Sequence, residues 1–377
     1  MKRKLLLALA LVFAFSVVFS ACGGGSEEPA DTGSGEAPAQ NEQAAETTSD
    51  EVFEFIVNVT LGEPVSPNWA RLFKELEEKS DGRLKVTVYW SNSLVTIPEI
   101  PKSMMAGAMA FSNVPTNNYP DIMPLNARIL ELPFLGLQDP VESSEIYMQL
   151  LDEFPEMMKE FADYNMFPLA VTTLGMYGLH FTDTKEVRLP SDLNGRQIVP
   201  YKLEFLPMLE ANNAAGSYIP PGQIYEALEK GVVNGYVNNW AFQGWFGLTE
   251  LMRQHVEIGE FGAFHEYNVL CVNLDFYNSL PADLQQLLVD TFRTNGGYSD
   301  MWDDTAALVA SEKEKAKAKG DVFIDLTPEE IDVWKKAVEG NHEVALAEIA
   351  EQRGDNAGDA IYERTKEIIE EKYGPQD

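Results

Sequence analysis

The stretch that most constrains the fold runs from Tyr225 to Trp240, because it contains a helix, its stop signal, a strand and a polar strand end. Ile224, Ala227 and Leu228 are spaced as i, i+3 and i+4, so they form one apolar stripe along a short helix. Gly231 follows at the position where a glycine commonly ends a helix. The pattern predicts a helix followed closely by a strand, as in an α/β protein.

The strand that follows is predicted to be buried and to begin at Val232, with a bend or bulge at Asn234-Gly235. In open α/β sheets, ligands bind beyond the carboxyl ends of strands. The side chains of Tyr236, Asn238 and Trp240 are therefore candidates to contact a ligand. The alternative is an ordinary turn from strand to loop.

The amino-terminal residues 1–21 have the pattern of a secretory signal peptide. Lys2-Arg3-Lys4 precedes an apolar run from Leu5 to Phe19, which is too short for a comfortable transmembrane helix. Small residues then precede Cys22, and this arrangement resembles a bacterial lipobox, which implies that Cys22 becomes the lipidated first residue. We therefore expect an extracytoplasmic protein, in the periplasm or on the outer face, that a lipid anchors to the cell membrane.

Residues 22–51 are rich in Gly, Ser, Ala, Glu and Gln, and they contain no large apolar residue that could build a core. This composition predicts a disordered acidic tether, followed by a folded region over residues 52–377. The formal net charge of −32 makes nucleic acid and anionic lipid surfaces poor partners. Cys271 lies in an apolar strand pattern and is predicted to be a small buried residue without a disulfide.

Alternating apolar residues from Phe53 to Val59 predict a first strand, and Ser66 with Pro67 predicts the start of a helix. A second alternating run, from Leu84 to Trp90, completes a β-α-β unit that must be parallel with a right-handed crossover. The residues after this second strand are therefore expected on the same rim as Glu63.

A second unit is predicted to end in a short strand from Met109 to Phe111, followed by an amide-rich loop that contains Asn113 and Thr116. That loop could contact a ligand or simply be solvated. Further elements are predicted from capping residues and periodicity. They are a long helix from Pro140 through Phe161, strands over Phe167 to Thr173 and Val269 to Phe276, a helix from Pro281 past Trp302, and a capping box at Thr327.

The run from Tyr225 to Gly235 resembles the signature of the solute-binding subunits of TRAP transporters, the DctP family. Glu131 to Leu135 and Leu189 to Gly195 resemble two further family segments, and the resemblance covers residues 52–377. It implies an α/β, periplasmic-binding-protein-like fold, in which two lobes with crossing strands and long helices enclose a ligand cleft. We expect lobe I over about 52–172 plus about 263–300, and lobe II over about 173–262 plus the C-terminal helices.

The resemblance implies an extracytoplasmic subunit that captures a small organic acid by hinge closure and delivers it to a small and a large TRAP membrane subunit. Asn238 matches the ligand-contacting Asn of the family, and His180 stands at or beside the place of a family Arg. The sequence departs from the family at Val199, where the family has the Arg that clamps the carboxylate of the solute. The predicted ligand-binding residues are Asn238, Trp240, Tyr236, His180, Tyr177, Asn113, Thr116, Trp90, Lys202 and Tyr201.

Loss of the Arg leaves two interpretations of the ligand. An aromatic or otherwise apolar organic acid could be held by amides and rings with one substitute cation, for which His180, Lys202 and Arg196 are candidates. Of these, Arg196 is expected to point into water. The alternative is a neutral or non-carboxylate solute held by Asn113, Asn238 and stacked aromatic rings.

The sequence carries no nucleophile elbow, P-loop or dinucleotide-binding motif in its folded part, and we expect neither an enzyme nor a cofactor. The four histidines lack the spacing of a metal site, and His255 and His265 are predicted not to bind metal. A tethered hydrolase or lyase that uses His180 and a nearby Glu as acid and base remains the alternative from another class.

Overall fold

A computed structural model describes residues 51–200, 205–258 and 265–374 of the chain. These residues form ten strands, β1 to β10: Phe53–Asn58, Leu84–Tyr89, Phe111–Pro115, Met166–Phe181, Gln197–Pro200, Ala215–Gly216, Gly235–Asn239, Gln254–Val256, His265–Asn273 and Val322–Ile324. They also form fourteen α-helices, α1 to α14: Pro67–Lys79, Ile100–Met105, Pro124–Arg128, Pro140–Glu153, Pro155–Ala162, Leu206–Ala211, Pro221–Glu229, Trp240–Phe246, Leu274–Ser279, Ala282–Val289, Gly297–Lys319, Pro328–Ala337, Asn341–Arg353 and Ala357–Tyr373.

The predicted β-α-β unit is confirmed. β1 and β2 pair in parallel from Phe53 opposite Leu84 to Asn58 opposite Tyr89, and α1 begins at Pro67 after Ser66. The amide of Ser91 donates to the carbonyl oxygen of Leu61 at 2.9 Å, so the ends of both strands lie on one rim as expected. The N-terminus of α1 is capped from far along the chain, because Asp304 on α11 accepts from the amide of Asn68 at 2.9 Å.

A single long strand, β4, joins two parts of the sheet. Its first half pairs antiparallel with β9, and its second half pairs antiparallel with β7 and β8. The strand order is β2-β1-β3-β9-β4-β7-β5-β6, with β8 pairing to β4 and β10 to β8. The register with β9 shifts between Thr173 and Met176, where Gly175 has a φ of 96°. The predicted strand over Phe167 to Thr173 therefore continues through a bulge to Phe181.

Separate hydrophobic cores cover the two parts of the sheet. The first core packs α1, α4, α13 and α14 around β1, β3 and β9, with Trp69, Phe111 and Tyr147 fully buried. A second core packs α6 and α12 on one face of β4 and β5. A third packs α7 and α8 on the opposite face, so neighbouring residues Ile198 and Val199 enter different cores. Mixed α/β architecture with a central sheet matches the predicted fold class.

Several element boundaries differ from those predicted. β7 begins at Gly235 and not at Val232, which is 63% exposed. The helix α7 ends in a turn in which the amide of Val232 donates to the carbonyl of Ala227, and this turn occupies the predicted start of the strand. β3 runs from Phe111 to Pro115, so Asn113 lies within a strand and not in the loop that follows it.

The segment after residue 265 is also divided differently. β9 spans His265–Asn273, earlier than predicted, because the Asn273 side chain accepts from the amide of Phe276 and starts α9. The helix expected from Pro281 past Trp302 consists of α10, a π-helical segment over Asp290–Thr294 and α11. The helix expected through Phe161 is also divided, into α4 and α5. Its break lies at Pro155, which cannot donate a backbone hydrogen bond.

Candidate functional site

A row of five side chains runs across the second part of the sheet. Phe323 pairs with His255, His255 with His180, His180 with Tyr236, and Tyr236 with Val199. Residues directly opposite each other on paired strands project from the same face of a sheet, so these side chains form one continuous surface. We call this surface the aromatic row, and it comprises Phe323, His255, His180, Tyr236 and Val199.

The helix α8 covers the aromatic row. The ring of Trp240 stacks on Phe323 at 5.7 Å with an interplanar angle of 6°, and its centroid lies 4.4 Å from that of His255. The indole N–H of Trp240 donates to Oε1 of Glu257 at 2.8 Å. Phe242 packs on Tyr236 with 5.9 Å between ring centroids. The predicted residues Trp240, Tyr236 and His180 are thus brought together, in a cluster that is buried.

Asn238 follows Tyr236 by two positions on β7, so its side chain projects from the same face of the sheet, and it is buried. Its side-chain oxygen accepts from the amide of Asn239 at 2.7 Å. Its Nδ2 has no hydrogen-bond partner among the residues that the structure describes. The side-chain oxygen of Gln243, on α8, likewise has none within the described ranges. Burying a polar group without a partner is costly, so these two atoms mark the place where this face could accept a polar ligand.

The two histidines of the row are in contact and are buried among charged neighbours. Nδ1 of His180 lies 2.8 Å from Nδ1 of His255, and Nε2 of His255 lies 3.1 Å from Oδ2 of Asp321. Burial, with His255 and Lys313 nearby, lowers the pKa of His180 well below its usual value. Burial, Lys319 and Lys313 lower the pKa of His255 to about 3. His180 is therefore neutral, which opposes its predicted role as the cation that holds an acid.

Tyr177 belongs to a different polar group from the aromatic row. Its hydroxyl donates to Oε2 of Glu266 at 2.9 Å, and Nδ2 of Asn239 donates to the same oxygen at 3.0 Å. The other end of the Asn239 side chain accepts from the amide of Phe242 and caps α8. A buried carboxylate thus connects β9, β4 and the end of β7.

Asn113 lies on β3 and forms a third polar group. Its side-chain oxygen accepts from the amide of Thr60 at 2.8 Å, and its Nδ2 donates to Oδ1 of Asn268 at 3.1 Å and to the hydroxyl of Thr60. Thr172 pairs with Asn268 across the neighbouring strand and is also buried. This group belongs to the first part of the sheet and shares no hydrogen bond with the aromatic row among the described residues.

The remaining predicted residues are dispersed or lie outside the described ranges. Thr116 is buried at the start of a short 3-10 turn, Thr116–Asn118. Trp90 is half-buried after β2 and packs against the first core. Lys202, Tyr201 and the predicted lipidation site Cys22 lie outside the described residues.

Arg196 was expected in water, and this expectation is wrong. Its side chain is only 3% exposed, and it forms two hydrogen bonds with the carboxylate of Asp183, at 2.8 and 3.1 Å. The guanidinium also lies 4.2 Å from the ring centroid of Phe181. An Arg that is paired and stacked in this way is occupied structurally, which removes it as a free cation for a ligand.

Sequence reasoning missed the residues that connect these groups, namely Glu266, Asn268, Asp321 and Gln243. The sequence pattern of β9 could have indicated two of these residues. Glu266 and Asn268 alternate with Tyr267 and Val269 in an otherwise apolar strand, which places a polar face opposite a core face. Cys271 is buried on the same strand, as predicted, and it forms no disulfide among the described residues.

Two neighbouring cavities lie away from these groups. One, of about 660 Å³, is lined by the loop from Pro133 to Gly136 and by residues between 332 and 343. The other, of about 500 Å³, shares His342, Glu343 and Tyr362 with it. Neither is lined by a residue predicted to bind the ligand. Within the described ranges, no three His, Cys, Asp or Glu side chains are grouped so that they could hold a metal ion.

Comparison with known proteins identifies relatives of this chain by sequence. A solute-binding protein of Chromohalobacter salexigens is 27% identical over 169 residues, which are 44% of this chain and 48% of that protein. An uncharacterized protein of Sinorhizobium fredii is 30% identical over 190 residues, 48% of this chain and 34% of that protein. The alignments therefore span half or less of these curated relatives.

Solved structures extend the likeness to nearly the whole fold. A TRAP solute-binding protein of Rhodoferax ferrireducens, in complex with copurified benzoate, has a TM-score of 0.72 at 19% identity and covers 85% of this chain and 98% of its own. A marine metagenome TRAP solute-binding protein specific for aromatic acids, in complex with metahydroxyphenylacetate, has a TM-score of 0.74 at 20% identity and covers 86% of this chain and 100% of its own. These likenesses establish the fold.

The family itself is established by sequence. The sequence profile of the DctP family, bacterial extracellular solute-binding protein family 7, matches residues 58–348. That range includes the aromatic row, the Glu266 group and the Asn113 group described above. Because the match extends over more than half of the chain, this chain belongs to the DctP family of bacterial extracellular solute-binding proteins.

Proposed function

We propose that this chain is the extracytoplasmic solute-binding subunit of a TRAP transporter and that it captures a small organic acid with an aromatic or apolar body. Hinge closure retains the acid and presents it to the small and large membrane subunits. Membership of the DctP family and the TRAP folds similar to this one support the transport role.

The aromatic row is the observation that carries the proposed solute class. The family resemblance of the sequence implies that Val199 stands where other members have the Arg that clamps a carboxylate. In this structure Val199 lies at one end of the aromatic row, opposite Tyr236. Val199, Tyr236 and Phe323 carry no charge at neutral pH, and burial raises the pKa of Tyr236 further above its usual value. The row therefore leaves no charge where the family clamps a carboxylate, and a site without that charge favours an apolar or aromatic body over a polyhydroxylated one.

The two relatives with bound aromatic acids support the same class. One holds benzoate and the other holds metahydroxyphenylacetate. Each ligand is a single ring with one carboxylate. A binding site with few cations and several aromatic side chains favours a ligand of this kind.

A carboxylate still needs a partner, and Lys202 is the cation that we propose. His180 is neutral because burial lowers its pKa, and Arg196 is paired with Asp183. Of the three cations considered from the sequence, Lys202 remains, and it follows the end of β5 at Pro200 in the sequence. Asn238, whose Nδ2 lacks a partner among the described residues, is the proposed amide donor.

The proposed export and anchoring rest on the sequence. Residues 1–21 act as a signal peptide, Cys22 receives the lipid, and residues 22–51 form the tether. The folded region comprises lobe I, about 52–172 plus about 263–300, and lobe II, about 173–262 plus the C-terminal helices. No helix within the described ranges is long and apolar enough to cross a membrane.

Native mass spectrometry of the protein purified from cells, followed by denaturation and identification of the released molecule, tests this function. We expect a stoichiometric organic acid. Thermal shift with benzoate, metahydroxyphenylacetate and matched neutral amides then tests the class, because a ligand that binds only the folded state raises its melting temperature. Stabilisation by neutral compounds alone would refute the acid, and turnover of the bound molecule would favour the hydrolase.

Lys202→Met tests the proposed cation, with Lys230→Met as the matched control, since Lys230 is exposed and pairs with a surface Glu226. We expect Lys202→Met to weaken benzoate binding by about tenfold or more, because a charge-assisted hydrogen bond is worth about 1.5–3 kcal/mol. Lys230→Met should bind benzoate like the parent protein. Equal affinity of both variants would remove Lys202 from the site.

A further inference from the structure

A series of hydrogen bonds runs from the backbone after β1 across β3 to β9. The amide of Thr60 donates to the side-chain oxygen of Asn113 at 2.8 Å. Nδ2 of Asn113 then donates to Oδ1 of Asn268 at 3.1 Å. Nδ2 of Asn268 has no hydrogen-bond partner among the residues that the structure describes. We call Thr60, Asn113 and Asn268 the amide series.

The first hydrogen bond fixes the direction of the amide series. A backbone amide can only donate, so Asn113 must present its oxygen to Thr60 and its Nδ2 to Asn268. The second hydrogen of this Nδ2 is used as well, because it is donated to the hydroxyl of Thr60. Asn268 must in turn present its oxygen to Asn113, since the reverse orientation would bring two N–H donors together. The group that Asn268 has left over is therefore a donor.

This remaining donor lies beside Thr172 on β4. Asn268 and Thr172 are directly opposite each other on paired antiparallel strands, where Cβ atoms are about 4.5–5.5 Å apart. Because Oδ1 of Asn268 is turned to Asn113 on the β3 side, its Nδ2 is turned away from β3, to the side on which Thr172 lies. The hydroxyl of Thr172 also lacks a partner within the described ranges. Two hydrogen-bonding groups thus lie side by side without being bonded to each other.

Burial makes these two groups selective for an acceptor. Asn268 is 1% exposed and Thr172 is 3% exposed, so leaving their hydrogens unpaired is costly. A carboxylate or carbonyl oxygen has two lone pairs, and one such atom can accept from both groups. A buried water is the alternative occupant.

The strand order places the pair where α/β sheets bind ligands. β1 lies between β2 and β3 and is parallel to both, so the connection from β1 leads to one side of it and the connection from β2 to the other. A crevice at such a switch point, beyond the carboxyl ends of the strands, is the usual position of a ligand. The hydrogen bond from Thr60 to Asn113 spans β1 and β3 near these ends. Asn268 lies opposite Pro115, the last residue of β3.

We propose that Asn268 and Thr172 form a subsite that binds one oxygen acceptor of the solute, and that Asn113 sets the polarity of this subsite. The subsite favours a carboxylate or carbonyl oxygen and disfavours a group that only donates, such as an ammonium. That the oxygen belongs to a carboxylate rests on the proposed function. Asn113 is a positioning residue, because its own polar atoms are satisfied within the amide series and it acts through Asn268.

Crystal structures of the protein with benzoate and with benzamide test the subsite directly. Both probes are single rings, and they carry a carboxylate and a neutral carbonyl, respectively. We expect an oxygen of at least one probe within about 3.2 Å of Nδ2 of Asn268 and of the hydroxyl of Thr172. Water alone or a protein group at this place in both crystals would overturn the subsite.

The two probes also separate the subsite from the proposed function. If the oxygen of benzamide occupies the subsite and benzoate does not bind, the subsite stands and the proposed acid fails. If benzoate binds elsewhere in the protein and the subsite holds only water, the proposed acid stands and the subsite fails.

Thr172→Val gives an independent measurement of affinity, because it removes the hydroxyl with almost no change of shape. We expect the affinity for benzoate to fall by about tenfold, since a hydrogen bond to a charged acceptor is lost. Thr365→Val is the matched control. Thr365 is also buried, and its hydroxyl donates to the carbonyl of Ile361 on the same helix, α14. Equal affinity of the parent and Thr172→Val for the probe that binds would overturn the subsite.

Asn113→Asp tests how the polarity is set. A carboxylate at this position can only accept, so it accepts from Thr60 and requires Asn268 to turn its Nδ2 to the β3 side. In NMR of the ligand-free, asparagine-labelled protein, we expect a nuclear Overhauser effect between the side-chain amide of Asn268 and the methyl group of Thr172. This effect should be lost in Asn113→Asp and kept in Asn356→Asp, the same change at an exposed position. Its persistence in Asn113→Asp would overturn the role of Asn113.

Discussion

The hydroxyl of Tyr177 on β4 donates a 2.9 Å hydrogen bond to Glu266 on β9, 89 positions further along the chain. Because Asn239 donates to the same carboxylate oxygen, Glu266 satisfies two buried donors from the second part of the sheet. Removing the carboxylate should therefore cost more than removing one donor.

We expect Tyr177→Phe to lower the free energy of unfolding by about 1 kcal/mol and Glu266→Leu to lower it by about 2–4 kcal/mol, because the second variant leaves two buried donors unpaired. Urea unfolding of both single variants and the double variant measures the coupling. A coupling energy of about 0.5 kcal/mol or more is expected for residues in contact. Strict additivity would mean that the hydrogen bond contributes nothing to stability.

The cap that α11 provides to α1 gives a second prediction. Asp304 accepts from the amides of Asn68 and Trp69 at 2.9 and 3.3 Å. We expect Asp304→Ala to lower the free energy of unfolding by about 1–2 kcal/mol, the range for loss of a helix cap. Asp303→Ala, at the exposed neighbouring position, should change it by less than about 0.5 kcal/mol. Thermal unfolding of the two variants side by side provides the measurement, and equal melting temperatures would contradict the cap.

The variant Val199→Arg restores the Arg that the family has at this position, and it tests whether the aromatic row is closed to a ligand. Val199 is buried and packs with Tyr236 in the third core. We expect Val199→Arg to lower the free energy of unfolding by several kcal/mol, about 3 or more, because it buries a cation without a carboxylate. Val199→Met, of similar length and without charge, should be tolerated better. If Val199→Arg is as stable as Val199→Met and gains affinity for benzoate, the row is open to the ligand.

His342 gives a prediction for pH. Its Nε2 lies 2.6 Å from the carbonyl of Pro133 and its Nδ1 lies 2.8 Å from the hydroxyl of Tyr362. Burial, with Lys366 nearby, lowers its pKa. A base whose folded-state pKa is depressed stabilises the fold fully above its unfolded pKa, and this contribution is lost as pH falls.

We therefore expect the parent to lose more stability than His342→Gln between about pH 7 and about pH 5, the window around the unfolded histidine pKa. His180 and His255 are present in both proteins, so the difference isolates His342. Urea midpoints measured across this window provide the test. If the stability of the parent relative to His342→Gln instead grew as pH fell, the imidazole would be stabilised as a cation and the prediction would be wrong.

Local signals in the sequence were sufficient for part of the fold. Gly231 has a φ of 68° and ends α7, as its position predicts, and Thr327 forms the predicted capping box with Glu330. Both features are determined by residues within a few positions of each other, so the local sequence is sufficient to predict them. The same holds for the parallel β1 and β2, since a short helix between two strands leaves few alternatives.

The parts that could not be predicted depend on distant partners. Asn113 was placed in a loop because a polar residue seldom enters a buried strand, yet Asn268, 155 positions away, satisfies it. Arg196 was placed in water because a lone Arg seldom lies inside, and the pairing with Asp183 and the ring of Phe181 reverse that preference. The aromatic row is a further case, because it needs the register of five strands at once.

The bulge in β4 has a mechanical consequence. The strand is held by ladder hydrogen bonds to β9 on one side of Gly175 and to β7 on the other, while the register is broken at Gly175 itself. Bending is thus favoured where β4 passes from β9 to β7, and the segment from Met176 to Phe181 acts as a rigid lever arm of about 20 Å at about 3.3 Å per residue. A rotation of about 10° there would carry the far end of the arm by about 3 to 4 Å.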